Sequence, residues 1–264
     1  MRALKLTIAY DGTNYVGWQR QAAYAPASAS LEDALSARTQ AAGISIQHLI
    51  EDACAPLAGG RPPSVNGAGR TDAGVHALGQ VASVSFDTDL DALALRRAIN
   101  YRLPDDVRVV AVEDVPEHFH ARFDAKGKRY RYRIATGSIL LPFDRSFVWH
   151  APEARDVDAM KRAAANFVGR HDFASFQTGG IEKVETVRTV RRLELHAGGD
   201  EIVLDIEGNG FLRHMVRAIA GTLVEVGGGR RAAESMPDLL AARDRGAAGR
   251  TAPAAGLTLM EVTY

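Results

Sequence analysis

The sequence predicts an α+β protein built of two lobes. Strand-like and helix-like stretches mix without the regular βαβα alternation of a parallel sheet. Each half of the 264 residues holds about four strands and two or more helices, and no low-complexity linker or fixed-period repeat divides the chain. That length suffices for two small lobes with cores of their own, and the join is expected near residue 115.

The first element is a strand over 3–10, where Leu4, Leu6, Ile8 and Tyr10 alternate with Lys5, Thr7 and Ala9. Residues 22–43 are rich in Ala and Ser; Ser30 with Asp33 resembles a helix start, Gly43 ends it, and the stretch reads as a surface excursion. Ser45 then caps a stronger helix whose apolar face is Ile46, Leu49, Ile50 and Ala53, with Cys54 packed beside it. Strands near 63–69 and 79–86, a helix near 90–102 and a strand near 107–113 complete the first half. The second half opens on a long strand, about 120–135, and a helix near 155–168 with Val157, Met160, Ala164 and Phe167 at helical spacing. Gly198-Gly199-Asp200 supplies the positive-φ residues of a tight turn between strands at 189–196 and 201–207. Helices near 211–226 and 234–244 precede a last strand at 257–264.

Composition narrows the function. Hydrophobic residues at 46% and charged residues at 24% are those of a soluble globular protein. No apolar run reaches the length of a membrane span, and Asp11 interrupts the first strand before a signal-peptide core can form. One cysteine forms neither an internal disulfide nor a thiolate metal cluster, and fits a reducing cytosol. With 32 Lys+Arg against 32 Asp+Glu the formal charge is zero, which argues against a nucleic-acid binder unless the charge is segregated. Segregation is visible: Val115–His150 has seven basic residues against three acids, or +4, and Asp87–Asp114 four against seven, or −3. The basic share is expected to line one cleft and the acidic share to face away from it.

Several patterns fail on counting. Asp87-Thr-Asp89-Leu-Asp91 begins like a calcium loop, but Ala92 and Ala98 stand at its sixth and twelfth positions, and the acids are expected to cap the next helix. Gly67-Ala-Gly69 and Gly208-Asn-Gly210 begin dinucleotide fingerprints whose sixth positions are Asp72 and Arg213. His118-Phe-His120 lacks a third ligand at metal spacing, and no Walker loop or GxSxG elbow occurs.

Three segments carry chemistry. Gly67-Ala-Gly-Arg-Thr-Asp-Ala-Gly-Val-His76 places Asp72 on a Gly-rich loop with Arg70 two residues before it, either a nucleophile held ionised or an ordinary turn. In Lys126–Arg133, strand alternation puts Arg129, Arg131 and Arg133 on one face and Lys128, Tyr130, Tyr132 and Ile134 on the other. Basic residues interleaved with tyrosines suit phosphate contact and base stacking, while Tyr132 reads as core. In Gly208–Arg217 and beyond, helical projection gathers Phe211, Met215, Val216, Ile219, Ala220 and Leu223 on one arc, with Arg213, His214, Arg217 and Gly221 opposite. Positive charge at a helix start opposes its dipole by about 0.3–1 kcal/mol, so this face calls for an external carboxylate or phosphate.

Tyr10–Gln21 (YDGTNYVGWQRQ), Gly67–Ala77 with its GRTDAGVHA core, Phe119–Phe123 (FHARF), Lys128–Tyr132 (KRYRY), Gly208–Arg217 (GNGFLRHMVR) and the closing Gly256-Leu257 together resemble the tRNA pseudouridine synthase A family. The matches keep the family's order and span nearly the whole chain. The resemblance implies a pseudouridine synthase fold of two ferredoxin-like, RRM-like lobes sharing one continuous, mostly antiparallel sheet. It implies isomerisation of uridine to pseudouridine at positions 38 to 40 of the tRNA anticodon arm by a cytoplasmic homodimer, with no cofactor and no metal. By the same resemblance Asp72 is the nucleophile, toward C1′ or C6. Arg70 fills space near the displaced nucleotide, Tyr130 stacks on the flipped base, Arg217 pairs with the catalytic carboxylate, and Leu257 is apolar against the base. The chain departs from the family in the extra stretch at about 22–43, and in Ala255, where an acid is frequent. A synthase acting on another RNA position, and a non-catalytic RNA-binding protein, are the competing readings.

Overall fold

In the computed structural model, which describes residues 1–20, 43–178 and 185–264, strands and helices sort into two units. The first comprises Met1–Ala125 with Leu259–Tyr264, the second Lys126–Thr258. The expected excursion at 22–43 lies, except for Gly43, outside the described residues. Each unit is α+β with a mostly antiparallel sheet, the class the sequence predicts.

In the first unit, β1 (Arg2–Tyr10) lies between β3 (His76–Phe86) and β4 (Val107–Asp114), antiparallel to both. Leu259–Thr263, within β10 (Leu257–Thr263), continues the order β4-β1-β3-β10. The alternation in β1 works as expected: Leu4, Leu6 and Ile8 are fully buried, and each such side chain contributes about 1.5–3 kcal/mol. Ser45 accepts a hydrogen bond from His48 N at the start of α1 (Ile46–Cys54), and the predicted apolar face, with Cys54, is buried. Asp91 caps α2 (Ala92–Arg102) through Ala94 N at 2.7 Å, the capping role expected of that acidic stretch. The strand expected near 63–69 shrinks to β2 (Asn66–Gly67), because Pro62 and Pro63 have no amide hydrogens to offer a ladder.

The second unit carries the order β5-β9-β8-β7: β5 (Gly127–Ala135), β9 (Glu201–Gly208), β8 (Val187–Gly198) and β7 (Gly169–Asp172), with β6 (Trp149–His150) parallel to β5. The predicted hairpin turn is present, Gly199 adopting φ of 58° between paired Gly198 and Glu201. The long strand expected from 120 begins only at Gly127. Asp124 accepts from His120 N and His120 Nδ1 accepts from Arg122 N, so residues 119–124 close into a turn. Asp156 caps α3 (Val157–Ala165) through Ala159 N; Met160, Ala164 and Phe167 are buried as expected, while Val157 is half-buried.

The helix expected from 211 begins later, as α4 (Met215–Gly227); α5 (Met236–Ala242) follows. His214 takes a left-handed φ of 64° before α4, so Arg213 and His214 precede the helix, and of the predicted charged face only Arg217 and Gly221 lie on it. Among the described residues, no helix is long and apolar enough to cross a membrane.

Candidate active site

In the first unit the two glycine-rich motifs are built against each other. Gly17 and Asp72 form an antiparallel bridge, Trp18 N donates to Thr71 O at 3.1 Å, and Gly74 N donates to Tyr15 O. The approach is so close that a Cβ on Gly17, whose φ is 102°, would stand 2.4 Å from Thr71 O. Trp18 packs against Gly67, where a Cβ would stand 2.4 Å from the indole. Segment 70–72 therefore runs extended, and alternation does the rest. Thr71 turns inward and is buried, its Oγ1 2.8 Å from the Tyr10 hydroxyl, whereas Arg70 is exposed and Asp72 half-buried. A Thr-anchored segment thus presents an arginine and a carboxylate from flanking positions, which favours a built presentation over a casual turn.

The far end of the loop is tied down at His76, which is buried and whose Nδ1 lies 3.0 Å from Gly12 N and 3.1 Å from Asp11 Oδ1. Burial works to raise the Asp11 carboxyl, but His76 and the Thr13 hydroxyl and amide outweigh it and hold it at about 2. Burial pushes the Tyr10 phenol up to about 12, so it stays protonated beside Thr71.

Tyr130, Arg217 and Leu257 belong to the second unit. Arg217 Nε donates to Ala252 O at 2.8 Å and Ala252 N donates to Arg217 O at 3.0 Å. One turn on, Gly221 lets the chain cross α4, since a Cβ there would meet Arg250 O at 1.8 Å. Tyr132 donates to Pro253 O at 2.6 Å, is fully buried and meets Trp149 edge-on; it is core, as expected. Tyr130 shares that face of β5, with the Phe211 ring edge-on at 5.3 Å, and Leu257 is buried at the start of β10. Of the five predicted site residues, Arg70 and Asp72 are brought together in the first unit and the other three stand in the second.

The basic strand face differs from expectation. Arg131 forms a two-pronged pair with Asp205, its cross-strand neighbour, at 3.0 and 2.9 Å, and Arg133 pairs with Glu201. These arginines are answered by acids of β9 instead of being offered to phosphate, because pairing β5 with β9 sets Glu201, Asp205 and Glu207 beside the basic run. A residue not singled out from sequence is Gln80: fully buried on β3, it donates from Nε2 to Gly69 O at 2.9 Å. Its only sequence signal is an amide inside an apolar strand.

Comparison with known proteins gives a consistent result. A family model described as tRNA pseudouridine synthase matches residues 6–124 and 163–264, stretches that include Arg70, Asp72, Arg217 and Leu257 but not Tyr130. The chain is 41% identical over 264 residues to tRNA pseudouridine synthase A of Geotalea uraniireducens, covering 100% of both chains. It is 42% identical to tRNA pseudouridine synthase A of Syntrophotalea carbinolica, covering 100% of this chain and 97% of that one. A chain of a solved Cbf5-Nop10-Gar1 complex aligns over 75% of this chain and 40% of its own length, at 12% identity and a TM-score of 0.32, too low to carry an argument.

Proposed function

This chain belongs to the tRNA pseudouridine synthase family, and on that premise we propose that it converts uridine to pseudouridine at positions 38 to 40 of the tRNA anticodon arm, with Asp72 as nucleophile. The observation that carries the reading is the Thr71-anchored segment that presents Arg70 and Asp72 together. The reaction is an isomerisation. Asp72 adds to C1′ or C6 of the target nucleotide, the N1–C1′ bond breaks, the uracil turns, and C5 bonds to C1′. Asp72 is then expelled, and the C5 hydrogen leaves as a proton while N1 gains one. Atoms and electrons balance without an oxidant, a reductant or water, and because the base is retained a single carboxylate suffices where glycosidases usually employ two.

The target base leaves its stack at a cost of a few kcal/mol. In this reading Tyr130 stacks on the flipped base, which returns about 1–3 kcal/mol. Its ring is already braced by Phe211, so stacking requires little further ordering. Arg70 fills space near the displaced nucleotide, Arg217 balances the catalytic carboxylate, and Leu257 gives the base an apolar wall. The enzyme works in the cytoplasm, where a lone buried thiol such as Cys54 persists reduced. It works as a homodimer, and the exposed Ile139, Leu141 and Phe143, 78%, 58% and 91% accessible, offer an apolar surface to a second copy.

Asp72→Asn removes the nucleophile while keeping shape. It is expected to abolish release of tritium from tRNA carrying 5-tritiated uridine, with tRNA affinity within a few-fold of wild type. Equal modification by both proteins sinks the assignment. Mapping pseudouridine in tRNA from cells lacking the gene tests the position, and unchanged positions 38 to 40 would overturn it.

A further inference from the structure

Beneath segment 69–72 lies a buried cluster of three polar side chains that the reaction itself does not use. The Tyr10 hydroxyl is 2.8 Å from Thr71 Oγ1. The Gln80 amide donates to Gly69 O at 2.9 Å and accepts from Val81 N at 3.2 Å. Tyr10 and Thr71 are buried and Gln80 fully so; the other buried residues of β1 are apolar, and β3 buries two further polar residues, His76 and Ser83. Apolar residues of similar shape would fill the same space, and replacing both members of a buried hydrogen bond that way can be nearly neutral for stability. What apolar residues would not do is grip the loop on both sides of Arg70, at the Gly69 carbonyl and the Thr71 hydroxyl.

The register of the sheet supports a directed placement. Between Ile8, opposite Gln80, and Tyr10, opposite Ala77, the β1–β3 pairing shifts by a bulge. Bulges re-aim side chains beside functional sites, and this one brings the Tyr10 hydroxyl, which ends β1, to Thr71. The next residue after that anchor is Asp72.

We propose that Tyr10 and Gln80 are positioning residues for Asp72, acting through Thr71 and Gly69 to fix the direction in which the carboxylate meets the target nucleotide. The inference rests on the reading of Asp72 as nucleophile. A small misdirection is costly, since a displacement of about 1 Å can lower a rate by about a hundredfold.

The test combines Tyr10→Phe, Thr71→Val and Thr71→Ser, with single-turnover tritium release, tRNA binding and thermal unfolding measured for each. Tyr10→Phe and Thr71→Val are expected to slow the single-turnover rate about tenfold, equivalent to about 1.4 kcal/mol, with tRNA affinity within about twofold. Thr71→Ser, which keeps the hydroxyl, should restore most of the rate, and the Tyr10→Phe/Thr71→Val double variant should be no slower than the slower single variant. A wild-type rate for Tyr10→Phe, multiplicative losses in the double variant, or failure of Thr71→Ser to outperform Thr71→Val would each overturn the inference. If Tyr10→Phe does not fold, the Ser and Val variants at position 71 decide alone. Asp72→Asn, run alongside, separates the two claims: activity surviving in it removes the nucleophile reading, whereas its loss beside a fully active Tyr10→Phe removes only the positioning role.

Discussion

Gly17→Ala is the sharpest test of how Asp72 is presented. The perturbation has two parts. A φ of 102° is one that L-residues rarely adopt, at about 1–3 kcal/mol of strain. The new Cβ would also stand 2.4 Å from Thr71 O and 3.0 Å from Asp72 C, both main-chain atoms that no rotamer change can clear. Relief requires segments 16–18 and 70–72 to part, which weakens the Trp18 N to Thr71 O bond, and a buried group left without its partner costs about 1–3 kcal/mol. The total is about 2–6 kcal/mol, which falls at or below the lower part of the usual domain stability of about 5–15 kcal/mol, and corresponds to roughly 4–24 °C in Tm for a chain of this size. Activity should fall further than stability, because the parted segments carry Asp72 with them. Gly59→Ala isolates the strain: its φ of 75° is also left-handed, but no atom lies within 4 Å of the new Cβ. Thermal unfolding and single-turnover tritium release, measured well below both melting points, should give a small Tm loss and full activity for Gly59→Ala, and for Gly17→Ala a larger Tm loss and at least a tenfold slower rate. A Gly17→Ala protein that turns over at the wild-type rate would refute the claim that this close approach places the carboxylate.

Other consequences are more local. Asp11, held at about 2 against a usual 3.8, has a depressed folded pKa, so the stability it contributes is present above pH 4 and lost as pH falls toward 2; discounted for its exposed part, that is about 1 kcal/mol. The stability gap between wild type and Asp11→Asn, measured by denaturant unfolding, should close over that interval, and a gap independent of pH contradicts it. Arg131→Ala should leave the salt dependence of tRNA binding unchanged, because Asp205 already holds the guanidinium, whereas a phosphate contact would reduce the slope by about 0.7–0.9. Phe143→Asp should shift the molar mass measured by light scattering from dimer to monomer; an unchanged mass removes the 139–143 surface from the interface.

Sequence and structure agree wherever a single element carries the information. Alternation in β1, the caps Ser45 and Asp91, and the Gly199 turn are local devices, and each is legible because its cause lies within a few residues. The family motifs are legible through resemblance, and their glycines are open in sequence to either a sharp turn or a close approach by another stretch of chain. Gly17 and Gly67 are two of them, though which atoms they admit, Thr71 O and the Trp18 indole, required the fold. What could not be read was whatever depends on a partner strand. Helical projection put Arg213 and His214 on the same face as Arg217, but one left-handed residue at His214 moves the helix start to Met215 and takes the other two off it.

Charge shows the same dependence most clearly. Counted along the chain, Val115–His150 carries an excess of four positive charges, and that count suited phosphate. Counted across the sheet, Arg131 pairs with Asp205 and Arg133 with Glu201, while Glu207, opposite Arg129, lies 3.7 Å from Arg191, so the strand that looks basic in one dimension is partly answered in two. These pairs are partly buried, and their effect on the field is to reduce the basic excess that would hold any anionic polymer without discrimination. A tRNA-modifying enzyme gains from that cancellation, because discrimination then rests on directed groups rather than on bulk attraction. Net neutrality is therefore consistent with RNA chemistry here, and the zero total reflects pairing as much as segregation.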